Sequence, residues 1–383
     1  MKWYHRIIGF LFIVTLLSLC AILIVQPQKA YSTREKRNLS QRPVLTLSSL
    51  ADGSFMDGME DFAADQFPGR NAWMTVKTAL SRAVGSRESQ GVYLCEDDYL
   101  MERFDAPNEE NKEETITAMA DFASRHTDTK FYFLLAPNAL CIYPELLPEN
   151  APNANENIYI DSFYGRLGSS YTCVDIRDDF SAAKADTQLY YRTDHHWTTD
   201  GAEIAYRRLR EKMGFLQDVP FTGGTVTNSF FGSLSAKSGF RTGKADAIRI
   251  CLPDYPEEMK EHSLYTVTYS ENMRRSVSCY ETDALTGDDP YQVFFGSNHP
   301  LFTIDTSLES DRKLLVIKDS YANCLIPFLI PEYRRITVVD PRYYYDDIDA
   351  LMISEQFDEV LFLYNVNTLS TDTSLKTVLK NEQ

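Results

Sequence analysis

The chain has 383 residues, of which 44% are hydrophobic and 13% aromatic, and its formal net charge at pH 7 is −17. This much apolar sequence can build the core of one large or two ordinary domains, so a disordered protein is excluded. Lys and Arg form no cluster that could track a phosphate backbone, and the acidic balance repels one. We therefore expect no nucleic-acid partner.

An uncharged apolar run at residues 7–25 follows the first basic residues of the chain. About 20 residues span the hydrocarbon of a bilayer as a helix, whereas signal peptides usually have shorter apolar regions. We therefore predict a signal anchor over residues 1–27 that holds the rest of the protein outside the cytoplasm. A cleaved signal peptide with secretion is the second choice. Basic residues flank the run on both sides, so charge does not decide its orientation.

After this anchor, the composition divides the chain into a linker and one large domain. Residues 28–54 are polar and rich in Pro, Gln, Ser and Arg, which is typical of a flexible linker. Residues 55–90 have apolar residues at spacings of three and four after a Pro-Gly break, which predicts helix. We interpret them as a helical N-terminal extension of a domain at 55–383.

From about residue 90, short and nearly continuous apolar runs alternate with helical patterns, as parallel strands buried on both faces do. The runs are KFYFLLAP, YTCVDI, KLLVIKDS, RITVVD and EVLFLYN. Between about 220 and 310 the segments alternate apolar and polar residues and are rich in Tyr, Val and Thr, as in YQVFFGSN. The sequence thus predicts a three-layer α/β/α domain with a mainly parallel sheet and a β-rich insertion.

Ser320 lies in LLVIKDSYANCLIPFLI, at the junction of a predicted strand and a predicted helix. Ligands of open α/β sheets bind beyond the carboxyl ends of the strands. A serine there can present its hydroxyl above the sheet, where amides at the helix N-terminus stabilise an oxyanion. Serine is also a favoured helix N-cap, so a nucleophile and a structural cap are both open at this point.

The stretch YYRTDHHWTTDGA places an acid and two imidazoles in three successive residues. A serine nucleophile needs a base to take its proton, and the base needs an orienting partner. Asp194 and His196 are two residues apart, so in an extended segment their side chains share one side. The carboxylate can then bind one imidazole nitrogen and leave the other for Ser320, while His195 points elsewhere.

Two other interpretations of this stretch remain open. The two histidines, together with Asp194 and Asp200, are potential metal ligands, although adjacent histidines diverge in an extended segment and no distant His-x-His or Glu-x-x-His completes a shell. A structural turn is the other interpretation, with Trp197 in the core and a threonine capping the helix that follows.

The motif at 194–197, Asp-His-His-Trp, resembles the DHHW protein family. More widely, the chain is similar to the SGNH-like O-acetyltransferases of bacterial cell-surface polysaccharides, such as those of alginate. In those enzymes an Asp-x-His-Trp motif precedes a distant Gly-Asp-Ser block, and here DHHW precedes KDS at 318–320. The resemblance spans about 55–370 and includes FPGRNAW, APNALCIYPELLP, FFGSLSAKSG and DPRYYY. It implies an SGNH-hydrolase-like fold.

For the site, the resemblance implies a Ser-His-Asp triad. Ser320 would accept the acyl group, His196 would serve as general base and acid, and Asp194 would orient the imidazole. The sequence departs from the family pattern at Lys318, which replaces the glycine of Gly-Asp-Ser, and at His195, which replaces a small hydroxyl residue.

Further candidates for the oxyanion hole or for substrate contact follow predicted strands or adjoin the two motifs. Besides the amide of Ser320, they are Asn298, Asn365, Arg342, Trp197, His195 and Asp319. Arg342 has a second interpretation, as the buried ion-pair partner of Asp340 or Asp347.

We therefore expect an extracytoplasmic, membrane-anchored SGNH-like O-acyltransferase or esterase that acts on acetyl groups of a cell-surface glycan, without metal or cofactor. An acidic protein does not attract a polyanion over long range, so we expect a neutral or amino-containing glycan. Transfer needs an acyl donor outside the cell, which implies a multi-pass membrane partner. A non-catalytic glycan-binding or assembly protein of the same fold, favoured by Lys318, is the alternative. A metallohydrolase that uses the two histidines is the third hypothesis.

Overall fold

The structure of the chain is a computed structural model that describes residues 2–32, 37–215, 219–255, 257 and 264–381. The chain forms two compact units. The first consists of Met1–Gln90 with Ala236–Phe240, and the second of Gly91–Ser235 with Arg241–Gln383.

The first unit is mostly helical, as the apolar spacing predicts for residues 55–90. Its helices are Lys2–Val25, Leu47–Ala51, Ser54–Asp65 and Arg70–Ala83. Gly69 separates the last two helices with a φ of 69°, a left-handed conformation that favours glycine. Within the part of the chain that the structure describes, one helix, Trp3–Val25, is long and apolar enough to cross a membrane. A membrane anchor and a signal sequence both fit this finding.

An eight-stranded sheet forms the centre of the second unit. In chain order its strands are β1 (Lys130–Ala136), β2 (Thr172–Cys173), β3 (Tyr265–Tyr269), β4 (Arg275–Ser276), β5 (Leu301–Thr306), β6 (Lys313–Lys318), β7 (Arg335–Val339) and β8 (Glu359–Asn365). Their order across the sheet is β4-β3-β5-β7-β6-β8-β1-β2. The five strands from β7 to β2 are parallel, and β4, β3 and β5 are antiparallel. The prediction of an α/β fold with a mainly parallel sheet is confirmed.

The parallel strands coincide with the continuous apolar runs because both of their faces are covered. All seven residues of β8 are buried. The main helices of this unit are Glu109–Arg125, Glu156–Leu167, Arg177–Ala183, Thr199–Met213, Ile348–Glu355, Val366–Thr371 and Ser374–Leu379. Sheet and helices share one contiguous hydrophobic core. At the carboxyl edge of the sheet, β6, β8 and β1 end side by side, which defines the place for a site.

The region at 220–310 has two different structures. Phe221–Phe230 and Asp246–Pro253 form a separate antiparallel pair, whereas β3, β4 and β5 extend the main sheet. The run YQVFFGSN was expected to be a strand, but Pro290–Val293 is a 3-10 helix. Pro290 accounts for the difference, because proline has no N–H for a strand ladder and its φ suits the first turn of a helix.

Candidate active site

Ser320 begins a 3-10 helix, Ser320–Cys324, directly after β6. Asp319 holds this turn in place, because its carboxylate accepts hydrogen bonds from the amide of Tyr321 (2.9 Å) and from the amide of Asn365 at the end of β8 (2.9 Å). The turn is therefore tied both to its own helix and to the neighbouring strand. Asp319, a candidate for substrate contact, is fully buried and acts on the geometry of Ser320 instead.

Asp194, His196 and Ser320 form a continuous hydrogen-bonded chain. The Nε2 of His196 lies 2.8 Å from the Oγ of Ser320, and its Nδ1 lies 2.6 Å from an Oδ1 of Asp194. The backbone amide of His196 also donates to this carboxylate, over 3.0 Å. The imidazole is thereby held with one nitrogen on the acid and the other on the hydroxyl. This is the arrangement that makes a serine nucleophilic.

The backbone around these residues differs from the extended segment that we expected. Residues 192–196 form bends, and the ring centroids of His195 and His196 lie only 3.8 Å apart. The expectation that His195 points elsewhere is therefore wrong. Its Nδ1 lies 2.6 Å from the Oγ of Ser233, so its ring is fixed beside that of His196.

Residues from the segment after Phe230 hold the acid in place. The amide of Ser233 donates to the second oxygen of Asp194 over 2.7 Å. The amide of Gly232 donates to the hydroxyl of Thr193 over 2.9 Å. Buried Asp246 in turn accepts from the amide and the hydroxyl of Thr193, at 2.8 and 2.7 Å. The acid is thus fixed by contacts from two sides.

Position 232 requires a glycine, because its backbone packs directly against Asp194. A Cβ added to Gly232 would lie 2.2 Å from the Cβ of Asp194 and 2.5 Å from its Oδ2, so the acid would have to move. We expect Gly232→Ala to lower ester turnover about 10²-fold, the cost of a misplaced catalytic group. The matched control is Gly224→Ala, because a Cβ there meets nothing within 4 Å. Equal rates for the two variants would contradict this packing argument.

The environment keeps the His196 imidazole neutral. Burial, and then repulsion from His195, lower the pKa of His196 below its ordinary value of 6.5, against the attraction of Asp194. Tyr291 covers the ring in a stacked arrangement, with centroids 3.9 Å apart and planes 10° apart. A neutral imidazole can accept a proton from a hydroxyl group, so this pKa shift favours the form that a base would need.

This pKa shift predicts an acid limb in the pH profile of kcat/KM. Protonated His196 cannot accept the proton of Ser320, so activity falls as pH drops through the lowered pKa, with an inflection below 6.5. Removing the repulsion by His195→Gln should move the inflection to higher pH. His126→Gln, which alters a remote His–Asp pair, should leave it in place. An inflection that does not respond to His195→Gln would contradict the assignment.

The other candidate side chains have different surroundings. Trp197 is fully buried and donates to the carbonyl of Tyr321 over 2.9 Å, so it packs in the core and has no surface for a substrate. The side-chain amide of Asn365 donates to the carbonyl of Ala136 and to the side chain of Asn138, which uses both of its hydrogens. Trp197 and Asn365 therefore stabilise the structure around the site.

Arg342 and Lys318 meet at Asp340. Arg342 binds both oxygens of the fully buried Asp340, at 2.8 and 2.6 Å, which is the ion pair of its second interpretation, although Arg342 itself is only half-buried. Lys318, also fully buried, lies 3.2 Å from the same carboxylate. Burial lowers the pKa of Lys318, against the attraction of Asp340. Burial alone would raise the pKa of Asp340, but the two cations hold it below its ordinary value.

Lys318 also determines the orientation of Asn298. Its Nζ donates to the Oδ1 of Asn298 over 3.0 Å, and the side-chain amide of Asn323 donates to the same oxygen over 3.3 Å. An ammonium only donates, so the amide of Asn298 must turn its oxygen to Lys318 and its NH₂ group away. The lysine that replaces the glycine of the family motif therefore fixes the orientation of the Asn298 side chain.

The cluster Asp194, His195 and His196 also has the residue types of a metal site. One ligand atom from each lies within 4.8 Å of the others. The Nδ1 atoms of both histidines are engaged with Ser233 and Asp194, however, and the Nε2 of His196 with Ser320. The hydrogen-bonding pattern favours a proton relay over metal ligation.

Two contributors to the site were not predicted from the sequence. Tyr291 stacks on His196, and its hydroxyl donates to the carbonyl of Ser320 over 3.3 Å. Ser233 binds both His195 and Asp194. Tyr291 lies in the run that was interpreted as a strand. Ser233 lies in FFGSLSAKSG, one of the segments in which the chain resembles the family. That resemblance was the sequence feature that could have indicated Ser233.

Comparisons with known proteins show which proteins the chain resembles. Residues 92–228 match the model of the SGNH hydrolase-like domain of the acetyltransferase AlgX. A DHHW family protein from Eubacterium siraeum is similar in structure, with a TM-score of 0.64 and 21% identity, over 77% of this chain and 96% of that chain. Bacillus cereus PatB1, solved with a sulfonyl adduct, has a TM-score of 0.62 and 18% identity, over 74% and 97%. The fold is SGNH-like.

Among curated proteins, a probable alginate O-acetylase AlgJ from Pseudomonas syringae pv. tomato is 27% identical over 202 residues, which cover 51% of this chain and 50% of that protein. The chain spans about half the length of the curated relatives it matches. The resemblance to the DHHW family and to SGNH-like polysaccharide acetyltransferases is thereby confirmed.

Proposed function

We propose that the protein is an extracytoplasmic O-acetyltransferase or acetylesterase that acts on a cell-surface polysaccharide through a Ser-His-Asp triad. The observation that carries this proposal is the unbroken hydrogen-bonded chain Asp194–His196–Ser320. The acetyltransferase domain whose model matches residues 92–228, and the probable alginate O-acetylases among the relatives, support the acetyl group as the unit transferred.

In the first half-reaction, the Oγ of Ser320 attacks the carbonyl carbon of an acetyl ester while Nε2 of His196 takes the hydroxyl proton. Asp194 stabilises the imidazolium that forms. The tetrahedral intermediate then expels the donor oxygen, which receives the proton from His196. In the second half-reaction, an acceptor hydroxyl attacks acetyl-Ser320. His196 takes the acceptor proton and returns it to the serine oxygen as the ester to Ser320 breaks.

The developing oxyanion needs hydrogen-bond donors at the start of the 3-10 helix. The amide of Ser320 is the first of that helix, and the first amides of a helix have no partner within it. Asn298, whose NH₂ group Lys318 turns away from itself, is our second donor. Each such donor contributes about 10²–10³-fold in rate.

The acceptor determines whether the enzyme transfers or hydrolyses. With a sugar hydroxyl the product is an acetylated glycan, and with water it is free acetate. The net charge of −17 opposes long-range attraction of a polyanion, so we propose a neutral or amino-containing glycan. The helix Trp3–Val25 would anchor the enzyme at the membrane, where a multi-pass partner would supply acetyl groups.

Labelling with a sulfonyl fluoride tests the nucleophile directly. PatB1 is known with a sulfonyl adduct, and an activated serine displaces fluoride to form one. We expect intact mass to show one adduct on the wild-type protein, peptide mapping to place it on Ser320, and the adduct to be absent from Ser320→Ala. A folded wild-type protein that neither takes the label nor turns over an acetyl ester would contradict the proposal and favour the glycan-binding alternative.

A further inference from the structure

The helix Arg70–Ala83 exposes its apolar side. Trp73, Val76 and Leu80, together with Val84 just after the helix, are 59%, 48%, 63% and 85% exposed. Their spacings of three and four place them on one face. We call these four residues the apolar stripe.

The opposite face of this helix carries its buried residue, Thr78, and half-buried Met74 one turn earlier. Thr78 is buried against Gly239, where an added Cβ would come within 3.0 Å of the threonine hydroxyl. A surface helix of a soluble domain normally has the reverse arrangement, with its apolar side against the core. The apolar stripe therefore lacks a cover within the described residues of its unit, and a patch of this kind marks an interaction surface.

The charge around the stripe narrows the choice of partner. Residues 66–87 contain four basic residues and no acidic residue, although Arg70 pairs with Asp65 just before this segment, which leaves Lys77 and Arg82 as the exposed cations of the helix. The chain as a whole has a formal net charge of −17. A basic, amphipathic helix with an exposed tryptophan fits the interface of an anionic lipid bilayer, where the rings lie at headgroup level and the basic side chains meet the phosphates.

The start of this helix is joined to the end of the apolar N-terminal helix. Gln66, four residues before Arg70, accepts at its backbone carbonyl from the side chain of Gln26, one residue past Val25. The Gln66 side chain also exchanges two hydrogen bonds with the backbone of Lys29, at 3.0 and 2.9 Å. A cavity of about 560 Å³ is lined both by residues just after the N-terminal helix and by residues at the start of the helix Arg70–Ala83. If Trp3–Val25 spans the membrane, this junction lies at the bilayer surface.

We infer that the helix Arg70–Ala83 lies on the membrane, with the apolar stripe inserted among the headgroups of anionic phospholipids. The inference rests on the membrane anchor in the proposed function. This contact would add to the tethering of the protein at the surface where a membrane donor delivers its acetyl groups. A second copy of the chain and a protein partner are the competing occupants of the stripe.

The fluorescence of Trp73 in vesicles tests this inference. The full chain has three tryptophans: Trp3 in the apolar helix, Trp73, and the fully buried Trp197. We would reconstitute the Trp3→Phe protein in vesicles of phosphatidylglycerol and brominated phosphatidylcholine in equal parts. The difference from Trp3→Phe/Trp73→Phe isolates the signal of Trp73. We expect blue-shifted emission that the bromines quench, and less quenching after Lys77→Gln/Arg82→Gln or without phosphatidylglycerol.

Two outcomes would overturn the inference. Unquenched emission at the wavelength of a water-exposed indole would place the stripe in water, and blue-shifted but unquenched emission would place it against protein. The Trp73→Phe protein, which keeps Trp3, tests separately whether the N-terminal helix lies in the bilayer. Quenching of Trp3 without quenching of Trp73 would contradict only the inference. Failure to quench Trp3 would contradict the proposed anchor as well.

Discussion

Replacing Ser320 by alanine should lower the turnover of an acetyl ester by about 10³-fold or more, because the variant has no group to carry the acetyl. Replacing His196 by alanine should have a similar effect, since the hydroxyl at 2.8 Å then has no base to take its proton. The double variant should be no slower than either single one, because the two residues act as a unit. Initial rates with a chromogenic acetyl ester measure all three.

The chain offers a matched control for the histidine. His126 also lies 2.6 Å from a carboxylate oxygen, that of Asp349, but it follows the helix Glu109–Arg125 and precedes β1, at the other edge of the parallel strands. His126→Ala should retain wild-type turnover. If Ser320→Ala and His196→Ala also retained it while folded, the triad would not be the catalytic group.

Replacing Asp340 by alanine should have the largest effect on stability. Asp340 and Lys318 are both fully buried, and Arg342 is the second cation on the same carboxylate. The variant would leave a buried ammonium without its counter-ion, and breaking a buried pair in this way costs about 3–5 kcal/mol. We expect a fall of this size in the free energy of unfolding, measured by urea denaturation with the fluorescence of buried Trp197 as the signal.

Two further variants test the cause of this loss. Asp305→Ala removes a carboxylate 2.6 Å from Arg335, but that pair is 40% and 35% exposed, so its loss should cost about 1 kcal/mol or less. Adding Lys318→Met to Asp340→Ala removes the unpaired ammonium and should recover part of the stability. An Asp340→Ala protein as stable as Asp305→Ala would contradict a charged, buried pair.

The sequence alone determined the parts of this protein that depend on local pattern. Continuous apolar runs predicted the strands that became β1, β2, β6, β7 and β8, because a strand buried on both faces needs apolar residues at every position. The same reasoning predicted the apolar N-terminal helix and the turn from strand to helix at Ser320. The motif order, with DHHW before KDS, indicated the family resemblance that the comparisons confirm.

The sequence pattern predicted the structure less well in two places where a local backbone feature, a proline or a bend, interrupted the expected strand. Pro290 turned an expected strand into a 3-10 helix, and that helix carries Tyr291 to the face of His196. Bends at 192–196 brought His195 beside His196, although an extended segment would have separated the two rings. In both places the local backbone conformation determines which side chains meet.

Only the tertiary structure decided which distant residues meet. His196 and Ser320 are 124 residues apart in the chain, and their contact depends on the order in which the strands join the sheet. Lys318 departs from the glycine of the family motif. The fold buries it against Asp340, where it also orients the side chain of Asn298. The reason is physical: periodicity reports which face of an element is buried, whereas the partner across the core is chosen by packing between elements that are far apart in sequence.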